Sequence, residues 1–272
     1  MALYVNTNVS SINAQRKLQN STNALGKTYE RLSSGLRINS ASDDAAGLSV
    51  STRMTSQIRG LGQAMRNAND GISLVQVTEG ALAETESALQ RMRELAVQAV
   101  NGTYTSTDRA DLHDEVAQLV SEIDRIANTT EFNSTTVMDT GKTFEIHVGM
   151  DQDQTISVTT TDANTTNIGL SAAFTVSTMA GASGAIALID NAIASVSDMR
   201  STLGAQQNRL EAAITNLANV VERTEAARSR IMDADIASET ANLTKNAILQ
   251  QAGTAILAQA NQQPQLALSL LG

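Results

Sequence analysis

Side chains able to do chemistry are sparse and scattered in this 272-residue chain. Its two histidines, His113 and His147, lie far apart with no HExxH or paired-ligand spacing, so solvated imidazoles are expected and no metal site. Asp43 and Asp44 are adjacent carboxylates. General acid–base work would also need a pocket and a partner base, so helix capping is the better reading. Gly181-Ala-Ser-Gly184 is too short and isolated to cradle phosphate, and there is no Gly-x-Ser-x-Gly, P-loop or dinucleotide fingerprint. Cysteine is absent, which removes thiolate nucleophiles, thiolate metal sites and disulfides. No catalytic residue, metal or cofactor is expected. The Ser/Thr-rich stretch 155–183 admits O-linked glycans, against the plainer reading of an exposed polar loop.

Composition points the same way. The chain is 42% hydrophobic but only 2% aromatic, with no tryptophan. Ala, Leu, Ile and Val suit thin helix seams better than a thick centre or ligand pocket. A formal charge of −9 opposes nucleic acid and anionic membranes as partners, since both are bound through basic patches. The N-terminus has no basic run followed by an apolar block, and no uninterrupted apolar run of membrane-spanning length occurs. Export, if it happens, is expected by a route without a Sec-type signal.

These side chains must be carried by helices. Residues 9–36 place Leu18, Leu25 and Leu32 at seven-residue intervals, a short coiled-coil seam. The polar break 37–44 follows, with Ser42 or Asp43 as cap of the next helix. Residues 45–100 carry a seam of alternating threes and fours: Ile58, Leu61, Met65, Ala68, Ile72, Val75, Glu79, Leu82, Glu86, Leu89, Arg93, Ala96, Val100. Near Glu79 to Arg93 the apolar stripe should drift toward Met92 and Leu95, as a 3.6-residue helix does against a 3.5-residue repeat. The three charged positions are then either a polar register device or side chains rotated to solvent or a neighbouring molecule. At roughly 1.5 Å per residue this helix reaches about 84 Å and needs partners along its length.

Asn101 and Gly102 should end it with a left-handed stop. Ser106 or Thr107 should cap a helix with the seam Leu112, Val116, Leu119, Ile123, Ile126. Residues 128–136 read as polar loop. Residues 143–149 and 154–158 alternate apolar and polar about the turn 150–153, which predicts a β-hairpin. Residues 159–184 read as loop, with a short strand near Phe174 and Val176. A second long heptad pattern, Ile189 to Thr224, then runs to about Ser229. After a junction at 230–235, a last helix carries Leu243, Ile248, Ala252, Ala255, Ile256 and Gln259. The tail from Pro264 is apolar. The fold class expected is mainly α: a long antiparallel helical coiled-coil bundle with a small β-hairpin region, and the N- and C-terminal helices paired.

Particular motifs resemble the bacterial flagellin family. They are VNTNV at 5–9 with SINA at 11–14, ERLSSGLRINSA at 30–41, DDAAGL at 43–48, RNANDGIS at 66–73 and LQRMRELAVQ at 89–98. Toward the other end they are ARSRI at 227–231, ILQQAG at 248–253, LAQAN at 257–261 and LSLL at 268–271. The resemblance covers roughly residues 1–158 and 186–272, in the family's order. The hook–filament junction protein is the nearest alternative, and the Ser-Leu-Leu ending favours flagellin. Two departures stand out: the middle is short, without inserted outer domains, and Gly272 stands where a basic residue is common.

The resemblance implies a structural filament subunit, not an enzyme, polymerising through its ends into a propeller for swimming. It implies an inner terminal-helix domain, residues 1–43 with 231–272, and a helical rod domain, residues 44–230. Leu18, Leu25, Leu32, Ile248, Ala252, Ala255, Ile256, Leu266, Leu268, Leu270 and Leu271 would pack the filament core. Arg91, Leu95 and Glu115 would form a rod surface, with Arg91 and Leu95 exposed on one helical face, for the next subunit or for Toll-like receptor 5. The partners implied are further copies of the chain, an export chaperone at the C-terminal helix, and hook-associated and cap proteins. The location implied is extracellular, reached by the flagellar type III route without a cleaved signal peptide.

Overall fold

A computed structural model describes residues 7–170 and 174–269, with side chains as far as residue 262. In chain order the elements are α1 (Val9–Ser34), α2 (Ala45–Val100), α3 (Ser106–Thr129), β1 (Glu131–Phe132), β2 (Thr135–Thr136), β3 (Thr143–His147), β4 (Thr155–Thr159), α4 (Met179–Met232) and α5 (Ile236–Ser269). The chain divides into a terminal unit, Met1–Ile58 with Glu222–Gly272, and a central unit, Arg59–Val221. This division falls inside α2 and α4. The sequence suggested breaks at 43/44 and 230/231, near the turns.

In the central unit α2 and α4 run antiparallel, as their ion pairs show. Arg93 meets Asp190 at 2.6 Å, and Arg200 reaches Glu79 at 3.6 Å and also pairs with Glu86. The seam holds Leu61, Ala68, Val75, Leu82, Leu89 and Ala96 of α2 against Ile189, Val196, Leu203, Leu210 and Leu217 of α4, all buried. Met92 and Leu95 are also buried, so the stripe drifts as the 3.6-residue period requires. The charged seam positions are neither core nor simply solvated. Half-exposed at the seam's edge, they pair with α4.

Helix α3 adds Val116, Ile123 and Ala127 to the same core. It is capped by Thr105, one residue before the expected Ser106: Asp108 N donates to Thr105 Oγ1, and Thr105 N to Asp108 Oδ2 at 2.8 Å. Helix α2 does not stop on a left-handed glycine, because Gly102 keeps a negative φ. Instead Arg109 donates to Ala99 O at 2.8 Å and Asn101 O at 3.1 Å, satisfying carbonyls that the helix end leaves open.

The hairpin β3–β4 pairs Thr143 with Thr159 and His147 with Thr155. A second small hairpin, β1–β2, stands where a loop was expected. Asn133 and Ser134 turn it with φ of 49° and 62°, as a two-residue hairpin turn demands. Residues 160–178 are not an exposed loop throughout, and no strand forms at Phe174. Thr160, Ala163, Thr165, Ile168, Leu170 and Val176 are buried. Asp124 anchors the segment, accepting from Thr165 N at 2.9 Å and Thr165 Oγ1 at 3.0 Å. Helix α4 then begins at Met179, ahead of the expected 185, with the Thr178 hydroxyl accepting from Gly181 N at 3.1 Å. One stretch of α4 is apolar enough by length and composition to cross a membrane. Its Ala182, Ala185, Ile189, Ala192 and Val196 belong to the protein core.

In the terminal unit α1 and α5 are antiparallel: Asn8 donates to Ala260 O at 2.7 Å, Ser11 to Asn261 at 2.6 Å, and Arg31 pairs with Glu239 at 3.3 Å. Gly35 ends α1 at φ 70°. This left-handed stop, which the sequence reading passed over, lets Arg37 N donate to Met232 O at 2.6 Å and Ala234 N to Gly35 O at 2.9 Å. The Arg37 guanidinium closes on Ile231 O at 2.7 Å. Asp44, not Ser42 or Asp43, caps α2, accepting from Gly47 N at 2.8 Å. Asp43 instead ties the turn by accepting from Asn39 N and from Ser40 N and Oγ.

Candidate assembly surface

The side chains between α1 and α5 obey a strict three–four spacing. On α1 they are Ser11, Ala14, Leu18, Ser21, Leu25, Thr28 and Leu32; on α5, Glu239, Leu243, Asn246, Gln250, Gly253, Leu257 and Ala260. This is coiled-coil geometry, yet nine of these fourteen positions are polar or small. Gly253 permits close approach: a Cβ there would stand 3.2 Å from Leu18 Cδ1. Glu239, only 8% exposed, is held by Arg31 and by Asn242 at 3.1 Å.

The apolar side chains of α5 lie largely elsewhere. Ile248 is 59% exposed and Ile256 58%. Leu249, Ala252 and Ala255 are exposed beside them, as are Val9, Ile12 and Tyr29 of α1. The spacing 248, 252, 255, 256 puts these α5 residues on one helical face. The sequence places Ile248, Ala252, Ala255 and Ile256 on one helix with Leu243 and does not by itself assign their faces. The structure separates them, with Leu243 toward α1 and the other four outward. Leu18, Leu25 and Leu32 face α5. The side chains of Leu266 and Leu268, and residues Leu270 and Leu271 entirely, lie outside the described residues. The inward face was legible only by extending Leu18–Leu25–Leu32 back to Ser11 and through the intervening Ser21 and Thr28, which a search for apolar positions passes over.

On the central unit Arg91 and Glu115 come together. Arg91 donates to Glu115 Oε1 through Nη2 at 2.8 Å and Nε at 3.1 Å, and to Glu94 Oε2 through Nη1 at 3.0 Å. The hydrogen bond to Glu115, then that to Glu94, raises the Arg91 pKa above its ordinary value. Both Arg91 and Glu115 are exposed. Leu95 is not: expected at the surface beside Arg91, it is 1% exposed, in the core between the helices. Helix drift places it in the buried stripe with Met92.

His113 and His147 sit on different elements. His113 lines a groove of about 330 Å³ with Val116, Val120, Leu170 and Phe174. The carbonyl of His147 accepts from Asn67 at 3.1 Å. No cluster of three potential metal ligands occurs among the described residues.

Known proteins share this arrangement. Residues 5–143 match the bacterial flagellin N-terminal helical region and residues 186–271 the bacterial flagellin C-terminal helical region. The chain is 49% identical to a flagellin of Halalkalibacterium halodurans over 99% of this chain and all of that one. It is 44% identical to the flagellar filament 33 kDa core protein of Treponema phagedenis, with the same coverage. The crystal structure of Bacillus cereus flagellin superposes with a TM-score of 0.52 at 35% identity, covering 56% of this chain and 88% of that one. A putative flagellar hook-associated protein from Vibrio parahaemolyticus shares the fold, with a TM-score of 0.60 at 13% identity over 70% of this chain. The matched segments take in both long helices and the terminal pair, and on that ground this chain belongs to the bacterial flagellin family.

Proposed function

We propose that copies of this chain join chiefly through the outward faces of α1 and α5, burying in the polymer the apolar stripe that the single chain leaves in water. The family is structural: its members are subunits of the flagellar filament, an extracellular helical polymer of one repeated protein, and this chain is such a subunit. The observation that carries the interface is the inversion in the terminal unit. Its seam is half polar while Ile248, Ala252, Ala255 and Ile256 face outward. Burial of apolar area stabilises at roughly 25 cal/mol per Å², so such a face is stable only when covered. A head-to-tail contact that does not close extends without limit. Residues 1–43 with 231–272 serve as the inner, polymer-forming part and 44–230 as the rod. The tail residues Leu266, Leu268, Leu270 and Leu271 extend the apolar surface.

The finer roles rest on the same features. An export chaperone covering the α5 stripe keeps unassembled chains apart during passage by the flagellar type III route. Hook-associated and cap proteins occupy the same faces at the polymer's two ends. Arg91 and Glu115 present a charged pair to the next subunit or to Toll-like receptor 5, with Leu95 supporting it from beneath. The chain catalyses nothing; its work is mechanical.

Electron microscopy and sedimentation of the full chain, of Ile248→Ser/Ile256→Ser and of a chain lacking residues 1–36 and 236–272 test the interface. Long filaments are expected only from the first. Filaments from the truncated chain would overturn end-driven assembly, and filaments from the double variant would move the interface off α5.

A further inference from the structure

We propose that Asn101 is a self-modifying site, where the chain converts its own asparagine to aspartate and isoaspartate without an enzyme. Asn101-Gly102 is the only Asn-Gly pair in the sequence. It lies just beyond the last residue of α2, and both residues are exposed. Among the described residues the Gly102 amide donates no hydrogen bond. The Asn101 side-chain oxygen accepts from Thr103 N at 3.3 Å, which draws electron density from Cγ. No side chain crowds Gly102: a Cβ there would find only Met179 Cε, at 3.8 Å. Glycine's freedom lets the backbone reach the geometry that ring closure needs.

The chemistry is complete with water alone. The Gly102 nitrogen loses its proton to solvent and attacks Cγ of Asn101. A C–N bond forms, the bond from Cγ to the side-chain nitrogen breaks, and ammonia departs with a solvent proton. Water then opens the five-membered imide at either carbonyl. Opening at Cγ gives aspartate; opening at the backbone carbonyl gives isoaspartate, with one extra methylene in the main chain.

The three Asn-Ser pairs are internal controls, each constrained. Asn20 and Ser21 lie within the hydrogen-bonded ladder of α1. The Asn39 amide donates to Ser34 Oγ at 2.9 Å. Asn133 and Ser134 are fixed in the β1–β2 turn.

Location gives the reaction a consequence. It adds one negative charge to a chain of formal charge −9, at the negative end of the α2 dipole. Asn101 O is also one of the two carbonyls that Arg109 holds. In the isoaspartate form that carbonyl becomes a free carboxylate facing Arg109, and the main chain leaving α2 is rerouted through Cγ. In a long-lived extracellular polymer this marks the age of each subunit.

The full chain is incubated at mildly alkaline pH in heavy-oxygen water, digested, and analysed by mass spectrometry with fragmentation that separates aspartate from isoaspartate. Label at residue 101 is expected to accumulate about tenfold or more faster than at residues 20, 39 and 133. Gly102→Ala, which the open surroundings accommodate, is expected to slow it by about tenfold with unchanged thermal unfolding. Labelling at residue 101 no faster than at the Asn-Ser sites overturns the proposal, as does a Gly102→Ala rate equal to that of the parent chain.

Discussion

In the central unit the seam between α2 and α4 is filled by Leu82, Leu89, Met92, Ile189 and Leu210, all buried, with charges confined to its edge. In the terminal unit the seam between α1 and α5 contains Ser11, Thr28 and Glu239, while Ile248 and Ile256 face outward. The same heptad spacing builds both. The central unit keeps its apolar surface for itself, and the terminal unit reserves it for other copies. Periodicity thus fixes which residues meet, and residue chemistry fixes whether the meeting suffices for stability in one chain.

The largest effect that tests this contrast is Leu89→Ala. Truncating a fully buried leucine costs about 2–5 kcal/mol, and denaturant unfolding followed by helical circular dichroism should show that loss. Thr28→Ala in the terminal seam should cost no more than about 1 kcal/mol. Equal losses would mean that the two seams do the same work and would break the comparison.

Gly35→Val comes next. A side chain forced into the left-handed region costs about 1–2 kcal/mol per residue. The loss should be confined to the terminal unit, where Gly35 O and Arg37 N bond to Ala234 and Met232. Hydrogen exchange should rise at 35–38 and 231–234 and stay unchanged around Leu89. Arg200→Met should cost at most about 1 kcal/mol, because half-exposed ion pairs contribute little. Salt should shrink the difference. A cost that resists salt would make Glu79 and Glu86 part of the core after all.

Much of the central unit was legible because its long apolar stripes leave one packing solution: the α2 and α4 seams, the drift to Met92 and Leu95, and the presence of the β3–β4 hairpin all follow from period. Other features depend on which atom wins a local competition. Thr105 outcompetes Ser106 because it alone has Asp108 three residues on to close the box. Arg109 closes α2 from a neighbouring helix, which no local pattern at Gly102 announces. The drift and the pairing with Arg91 make opposite demands on Leu95, and burial wins: one turn from Arg91, it falls on the buried side of the helix with Met92. In the terminal unit the leucines were readable, but the split of α5 into a polar inner face and an apolar outer one was not. There the inner positions are weakly apolar and a search for apolar residues finds the wrong face.

Acid offers the last separation of the two units. Asp43 of the terminal unit is held below the usual carboxylate range by hydrogen bonds from the Ser40 backbone and hydroxyl, then Asn39, with Lys27 adding attraction. Asp108 of the central unit is lowered by the Thr105 backbone and hydroxyl. In each case the folded pKa lies below the unfolded one, so the ionised group stabilises the fold above the unfolded value and the contribution disappears as pH falls through the folded value. Asp43→Asn should therefore flatten the acid limb of hydrogen-exchange protection at residues 39–48 and leave α3 unchanged. Asp108→Asn should do the reverse. If either substitution alters both limbs, the two turns are coupled, and the terminal unit is less independent of the central one than their separate seams indicate.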